Sequence, residues 1–197
     1  MEPLTVALNA VRMSGLAPGD RCLVVGAGSQ GLLVSVAVTH AGGVPFVVEP
    51  HPGRRALARE LGAEDASGPP SRTSFPVVIE TSGVPEAFEQ ALERTSPGGT
   101  LIVVGQSPRH ARLSTFTLVQ RRLTVRGCLI YDHPADFPRT IATLAEHDLR
   151  PGRVLRERFE LAEAPAAFAR AAAPPARPGS AFPEPRRTPH DRGRPPP

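Results

Sequence analysis

The chain has 197 residues, 24 of them proline, and a formal charge of +4 from 23 basic and 19 acidic side chains. This length fits one domain of about 150 residues plus an appendage. Every basic residue is arginine, which excludes a catalytic Schiff-base lysine, a Walker-type phosphate-binding lysine and a Tyr/Lys catalytic pair.

Cys22 and Cys128 both lie in apolar runs, where a free cysteine behaves as a small buried hydrophobic residue. Two such cysteines predict neither a disulfide scaffold nor a zinc knuckle. The longest apolar run, around 32–38, is far too short to span a membrane, and no signal-peptide pattern opens the sequence. We therefore expect a cytoplasmic protein.

Apolar runs of strand length alternate with segments of helical length. In chain order the sequence predicts a helix at 3–14, a strand at 22–26, a helix at 29–42, a strand at 44–49, a helix at 51–63, a strand at 75–83, a helix from 84 to a stop at 97–99, strands at 100–105 and 123–130, and helices at 134–147 and 162–172. This alternation predicts an α/β fold with a doubly wound parallel sheet.

The segment 64–74, EDASGPPSRTS, interrupts the alternation where a third strand and a crossover helix would normally stand. Its two prolines and its glycine do not allow a helix of useful length. Ten extended residues span about 33 Å, which is enough to cross two strands, about 15 Å apart in all. We expect the third crossover helix to be missing, so that one face of the sheet exposes apolar surface or needs a partner.

The C-terminal residues 174–197 include nine prolines in 24 positions and five arginines against two acidic residues. This composition predicts a disordered tail that holds most of the net positive charge. No basic face on a folded element accompanies it, so the charge is weak support for nucleic-acid binding, which we do not expect.

Gly26, Gly28 and Gly31 form a GxGxxG pattern between the first strand and the next helix. In a dinucleotide-binding turn the first glycine allows the tight turn, the second lets backbone approach a pyrophosphate, and the third permits close packing of helix on strand. Glu49, 18 residues beyond Gly31 at the end of the second strand, is placed to accept hydrogen bonds from the adenosine ribose. The alternative is an ordinary strand-to-helix corner with a solvated glutamate.

A carboxylate at position 49 repels the extra phosphate of NADP, so we expect NAD to be preferred. Arg54 and Arg55 are near enough to weaken this preference, although a solvated helix face is their simplest interpretation. The six histidines show no HxxxH or HxH spacing and are interpreted as surface residues rather than metal ligands. Tyr131, the single tyrosine, is interpreted as a packing residue.

In order and spacing, several segments resemble the cofactor domain of zinc-type medium-chain dehydrogenases, with most similarity to the sorbitol-, threonine- and cyclitol-dehydrogenase branch. They are EPLTVALNAVRMSGLAPGDRCLVVGAGSQGLL, VVEPHPGRRALARELGA, VVIETSGVPEAFEQALERTSPGGTLIVVG, LTVRGC and FELAEAPAAFARA. The resemblance implies a Rossmann domain at 19–173, preceded by a linking helix at 1–18 and followed by the tail.

The resemblance also implies the residues that would bind NAD or NADP. They are Gly26, Gly28, Gln30 and Gly31 at the pyrophosphate, Glu49 and Arg54 at the adenosine, Thr81, Val104, Gly105 and Gln106 at the nicotinamide side, and the backbone of Cys128, Leu129 and Ile130 near the carboxamide. Glu2 matches a position that contacts the catalytic zinc or its water in this family; a simple helix carboxylate is the alternative interpretation.

The family's catalytic domain, which supplies zinc ligands and a proton relay, has no counterpart here, and its usual final strand is replaced by the tail. We therefore expect a truncated or mis-started gene product that does not hold zinc and is inactive alone. The resemblance further implies an alcohol or polyol substrate and a homodimer formed edge to edge through 123–130.

Three functional hypotheses follow. The first is the cofactor half of an NAD(P)-dependent, zinc-type alcohol or polyol dehydrogenase, which transfers a hydride between an alcohol and nicotinamide. The second is a non-catalytic nucleotide-binding module or one subunit of a split enzyme. The third is an S-adenosylmethionine methyltransferase, against which the glycine at 31 and the apolar helix after it both argue.

Overall fold

A computed structural model describes residues 1–68, 73–155 and 157–172. The helices of these residues are α1 Glu2–Ser14, α2 Ser29–His40, α3 Pro52–Glu60, α4 Pro85–Arg94, α5 Thr115–Gln120, α6 Asp136–Glu146 and α7 Ala164–Ala172. The strands are β1 Arg21–Val25, β2 Val44–Val48, β3 Glu64–Asp65, β4 Phe75–Glu80, β5 Thr95–Val103 and β6 Thr124–Gly127. Short 3-10 turns occupy Pro151–Val154 and Leu161–Glu163. The predicted tail at 174–197 lies outside the described residues.

The six strands form one parallel sheet in the order β3-β2-β1-β4-β5-β6, which confirms the predicted doubly wound α/β fold. The strand order reverses between β1 and β4. In open sheets of this kind ligands bind at the carboxyl ends of the strands at such a reversal.

Successive side chains of β1 enter two separate hydrophobic cores, because side chains alternate between the faces of a strand. Cys22 and Val24 pack with α1 and α2 on one face, while Leu23 and Val25 pack with α4 on the other. Both faces are therefore covered at the centre of the sheet, which explains why the central strands read as continuous apolar runs.

The structure differs from the sequence-based expectation in three elements. A two-residue strand, β3, pairs with β2, and a short helix, α5, precedes β6. Strand β5 begins at Thr95 rather than at 100, because Thr95 pairs with Phe75 before the register shifts. Gly98, at φ 76°, allows the backbone to turn within this early segment, which the sequence analysis had interpreted as a helix stop.

The face of the sheet that lacks the crossover helix carries two aromatic rings, and arginine side chains lie against them. No helix occurs between β3 and β4 among the described residues there, 66–68 and 73–74. The guanidinium of Arg21 lies 5.8 Å from the ring centre of Phe46 and 5.1 Å from that of Phe75. Arg94 lies 5.2 Å from the Phe75 ring, which is only 1 % exposed. The expected exposure is therefore not found at Phe75, which is buried, whereas Phe46 is partly buried; Arg21 lies against both rings and Arg94 against Phe75.

We expect Arg94→Ala to lower the free energy of unfolding by about 1–2 kcal/mol, because it removes a half-buried stem and a cation–π contact. It also removes a hydrogen bond from Nη1 to the Ala66 carbonyl. Arg94→Met should retain more stability, because it keeps the apolar packing and removes the Nε atom, which is buried and has no hydrogen-bond partner among the described residues. Urea denaturation measures both variants. Exposed Arg150→Ala is the control, and an equal loss in Arg94→Ala and Arg150→Ala would contradict this role.

Helix α1 is tied to the segment that follows β6 by a polar network. Arg12 Nη2 donates to Asn9 Oδ1 at 2.7 Å, to Asp132 Oδ2 at 2.8 Å and to Asp136 Oδ2 at 3.3 Å. The backbone N–H of Asp132 donates to the same Asp136 oxygen. Burial raises the pKa of Asp136, but this N–H and the charge of Arg12 outweigh burial and lower its pKa below the usual 3.8.

The network makes stability depend on pH. Because the folded protein lowers the pKa of Asp136, its contribution is complete above about pH 4 and is lost as the pH falls through the lowered value. We expect Asp136→Asn to cost about 1–2 kcal/mol at pH 7, with the difference from the wild type narrowing below pH 3.8. Chemical denaturation at several pH values tests this, with Glu64→Gln, at an exposed residue of β3, as the control. A difference that is constant with pH would refute the assignment.

Candidate functional site

The candidate site lies at the carboxyl ends of β1, β2, β4 and β5, where the strand order reverses. The first turn, between β1 and α2, is its centre. Gly26 has φ 96°, a left-handed conformation that favours glycine, and its N–H donates to the Val48 carbonyl at 2.8 Å. The turn therefore bends sharply at Gly26 and is attached to the end of β2.

Gly28 and Gly31 have different surroundings. A Cβ at Gly31 would lie 1.9 Å from the Gly26 carbonyl oxygen, so α2 packs against the turn at a distance only glycine permits. A Cβ at Gly28 would meet nothing within 4 Å. The backbone at Gly28 is therefore not covered by other atoms of the described structure.

Gly28 is also the residue that precedes the first turn of α2, and no side chain caps this helix. An uncapped helix N-terminus presents N–H groups and a partial positive charge to an anion. Gln30 lies in the same helical turn, and its Nε2 donates to the Pro3 carbonyl at 3.1 Å, which connects α2 to α1.

Glu49 follows β2 and is held in one orientation beside the first turn. It is 4 % exposed, and its Oε2 accepts from the Ala27 N–H at 2.8 Å while Oε1 accepts from the His51 N–H at 2.9 Å. Each carboxylate oxygen can accept two hydrogen bonds, so both retain capacity for a hydroxyl donor. The Glu49 side chain is therefore fixed in one orientation, with acceptor capacity left on both oxygens.

The two arginines of α3 have different roles. Arg55 Nη1 donates to the carbonyls of Glu49 and Pro50, at 2.8 and 2.7 Å, so this side chain supports the backbone. Arg54 Nη1 lies 3.9 Å from Glu49 Oε2, and its side chain is 47 % exposed. Arg54 is therefore the more accessible cation at this end of the site.

Thr81 joins the turn after β4 to the first turn. Its N–H donates to the Val25 carbonyl at 2.9 Å, and its hydroxyl lies 3.0 Å from Val25 O and 3.3 Å from Gly26 O. The hydroxyl would also lie 2.8 Å from a Cβ at Gly31. Thr81 thus fills the small space between two glycines of the motif.

Glu80 is a buried carboxylate that the sequence analysis missed. It ends β4 and is 1 % exposed, and its Oε1 accepts from the N–H groups of Ser82, at 2.6 Å, and Gly83, at 3.1 Å, and from the Ser82 hydroxyl. With Val84 and Phe88 it also lines a cavity of about 180 Å³. The available signal was an acidic residue at the end of an apolar strand, directly before Thr-Ser-Gly.

Of the residues predicted near the nicotinamide, Thr81 follows β4, the turn at 104–106 follows β5, and 128–130 follow β6. The N–H groups of Val104 and Gly105 donate to the Glu80 carbonyl, and the Cys128 N–H donates to Val103. Leu129 is 75 % exposed, and the exposed Ile130 has φ 56°, a strained conformation for a β-branched residue. These segments lie at the carboxyl ends of neighbouring strands, and their contact with a nicotinamide stays a prediction.

Zinc does not fit the part of the chain that is described. Residues 1–68, 73–155 and 157–172 contain no group of three His, Cys, Asp or Glu side chains able to hold a metal ion. Glu2 is exposed in the first turn of α1, and its metal role stays a prediction. Both cysteines are free and buried, and burial raises the pKa of Cys128.

His40 departs from the predicted surface position. It is partly buried and lies edge to face with the His147 ring, with ring centres 4.7 Å apart. Burial, and then the neighbouring His147, lower the pKa of His40. Over the same described ranges, no helix is long and apolar enough to cross a membrane.

Comparisons with known proteins agree with this geometry. Residues 31–146 match the family model described as zinc-binding dehydrogenase. (R,R)-butanediol dehydrogenase of Bacillus subtilis is 34 % identical over 145 residues, which cover 66 % of this chain and 41 % of that protein.

Solved structures show the same fold. L-idonate 5-dehydrogenase of Escherichia coli superposes with a TM-score of 0.78 at 25 % identity, covering 87 % of this chain and 52 % of the other. A zinc-binding dehydrogenase of Sinorhizobium meliloti, solved bound to NADP, has a TM-score of 0.77 at 27 % identity, covering 90 % and 55 %. The chain spans about half the length of these relatives. It belongs to the zinc-binding dehydrogenase family and matches the family's C-terminal NAD-binding part.

Proposed function

We propose that this chain binds NAD and forms the cofactor-binding part of an alcohol or polyol dehydrogenase. One observation carries the proposal: the open backbone at Gly28 lies at an uncapped helix N-terminus, next to the buried, preorganised carboxylate of Glu49. A pyrophosphate and a ribose need this pair of features at adjacent strand ends.

Bound NAD would supply hydride acceptance at the nicotinamide ring. The first turn and the N-terminus of α2 would hold the pyrophosphate, and Glu49 and Arg54 would hold the adenosine ribose. The nicotinamide would lie towards Thr81, the turn at 104–106 and the backbone at 128–130. An alcohol or polyol substrate and an edge-to-edge homodimer through 123–130 complete the proposal; β6 is the terminal strand of the described sheet.

The preference for NAD over NADP rests on Glu49. Its carboxylate lies beside the position where a ribose would bind, and a 2′-phosphate there would meet a buried negative charge. Arg54, 3.9 Å from that carboxylate, reduces the repulsion, so NADP should bind with lower affinity rather than not at all.

A second candidate is a nucleotide-binding module without catalysis of its own, or one subunit of a split enzyme. The observation in its favour is that the described residues contain no metal-binding group. Assaying NAD reduction with butanediol, sorbitol and idonate, with and without added zinc, tests the second candidate, which turnover by this chain would exclude. NADH binding without turnover is expected of an isolated cofactor-binding part as well as of the module.

The glycine motif provides a paired test of cofactor binding. We expect Gly28→Ala to leave the thermal unfolding midpoint unchanged, because its Cβ meets nothing within 4 Å, and to raise the Kd for NADH about tenfold or more by obstructing the pyrophosphate. Gly31→Ala should instead lower the free energy of unfolding by about 2 kcal/mol or more, because its Cβ would overlap the Gly26 carbonyl. NADH fluorescence titration and thermal melts measure both. Unchanged NADH affinity in a folded Gly28→Ala variant would contradict the proposed site.

Glu49→Gln tests cofactor preference. Removing the charge weakens the hydrogen bonds to the ribose, so the Kd for NADH should rise about tenfold. The Kd for NADPH should rise less or fall, because the repulsion of its phosphate disappears. The Kd for NADPH divided by the Kd for NADH should therefore decrease. Glu64→Gln, at an exposed residue of β3, is the matched control and should change neither value. The same Kd ratio in wild type and Glu49→Gln would show that Glu49 does not set the preference.

A further inference from the structure

Two turns meet beside the proposed nicotinamide end of the site: 81–83 after β4 and 104–106 after β5. A Cβ at Gly83 would lie 2.5 Å from the Gln106 carbonyl oxygen, and a Cβ at Gly105 would lie 2.2 Å from the Gly83 nitrogen. The two turns are therefore in direct backbone contact, and a shift of one must move the other.

Glu80 accepts hydrogen bonds from both turns. Its main-chain carbonyl accepts from the N–H groups of Val104, at 2.8 Å, and Gly105, at 3.1 Å. Its carboxylate Oε1 accepts from both backbone N–H groups of Ser82 and Gly83 and from the Ser82 hydroxyl. One residue thus supplies acceptors to five donors in two turns.

The second carboxylate oxygen of Glu80 lies against the same contact. A Cβ at Gly105 would be 2.6 Å from Oε2, so the carboxylate fits closely against the backbone of the β5 turn. No arginine within residues 1–68, 73–155 and 157–172 forms an ion pair with Glu80. A buried carboxylate without a cation depends on its hydrogen-bond donors, and charge-assisted hydrogen bonds of this kind are stronger than neutral ones.

We propose that Glu80 is a positioning residue for the nicotinamide half of the cofactor. Its carboxylate fixes the turn at 81–83 against the turn at 104–106, and so sets where the nicotinamide ring lies without contacting the ring itself. Its hydrogen bonds do not reach Glu49, which lies on the other side of β1, and Thr81 is held to β1 separately through its N–H bond to the Val25 carbonyl, so we expect the adenosine half to depend much less on Glu80. This inference rests on the proposed NAD binding.

The test compares NADH with ADP-ribose, which lacks the nicotinamide ring. Glu80→Gln replaces the carboxylate by a neutral amide, which is a weaker acceptor for the N–H groups of Ser82 and Gly83. We therefore expect the Kd for NADH to rise about tenfold, while the Kd for ADP-ribose changes less than about twofold. The emission maximum of NADH bound to Glu80→Gln should also lie at longer wavelength than that of NADH bound to the wild type, because the nicotinamide ring would be less well ordered. Ser82→Ala, which removes one hydroxyl donor, should give a smaller effect in the same direction and serves if Glu80→Gln fails to fold.

Glu86→Gln is the matched control, because Glu86 is an exposed glutamate on α4 that pairs with Arg109. Hydrogen exchange of the ligand-free chain supplies an independent measurement: Glu80→Gln should accelerate exchange at 82–83 and 104–105 but not at 26–32. Equal weakening of NADH and ADP-ribose, or unchanged exchange at these turns, would overturn the role of Glu80. Wild-type protein that binds neither nucleotide would instead overturn the proposed function, while the exchange data would still decide whether Glu80 fixes the turns.

Discussion

The contact between α2 and the turn at its start governs the geometry of the whole site. At Gly31 the helix approaches so closely that a Cβ would lie 1.9 Å from the Gly26 carbonyl oxygen. This close approach places Gly28 and the N-terminus of α2 at the carboxyl ends of the strands. The Thr81 hydroxyl fits between α2 and the turn. Larger side chains at position 31 would move the helix away from the sheet and separate the helix N-terminus from the strand ends.

Two buried glutamates, Glu49 and Glu80, flank the end of β1. Both accept hydrogen bonds from backbone N–H groups, Glu49 at the proposed adenosine end of the site and Glu80 at the proposed nicotinamide end. Val25, the last residue of β1, pairs with Val48 on one side and with Glu80 on the other, and Glu49 directly follows Val48. Both carboxylates accept backbone N–H groups of the turns beside them. Hydrogen bonding to N–H groups orients each side chain, and at Glu49 the guanidinium of Arg54 lies 3.9 Å from Oε2 as well.

Much of this organisation was predictable from the sequence, because the deciding features are local. The spacing of Gly26, Gly28 and Gly31 and the distance to Glu49 identify the turn, and apolar runs identify the central strands. Glu80 and the Arg12–Asp136 network were not predictable, because their partners lie on separate elements and no short motif encodes them. The cation–π cover of Phe75 was missed for the same reason: Arg21 and Arg94 are far apart in sequence and meet only when β1 and α4 pack.

The shortness of the connection from β3 to β4, residues 66–74, has a consequence for how this fold can vary. The chain leaves the sheet at Asp65 and returns at Phe75, and the register of both strands is fixed by pairing with β2 and β1 rather than by the connection between them. Connection length costs little in loop-closure entropy. The segment can therefore accept an insertion: a helix could be gained or lost there in evolution, or added by design, without changing the pairing of β3 or β4.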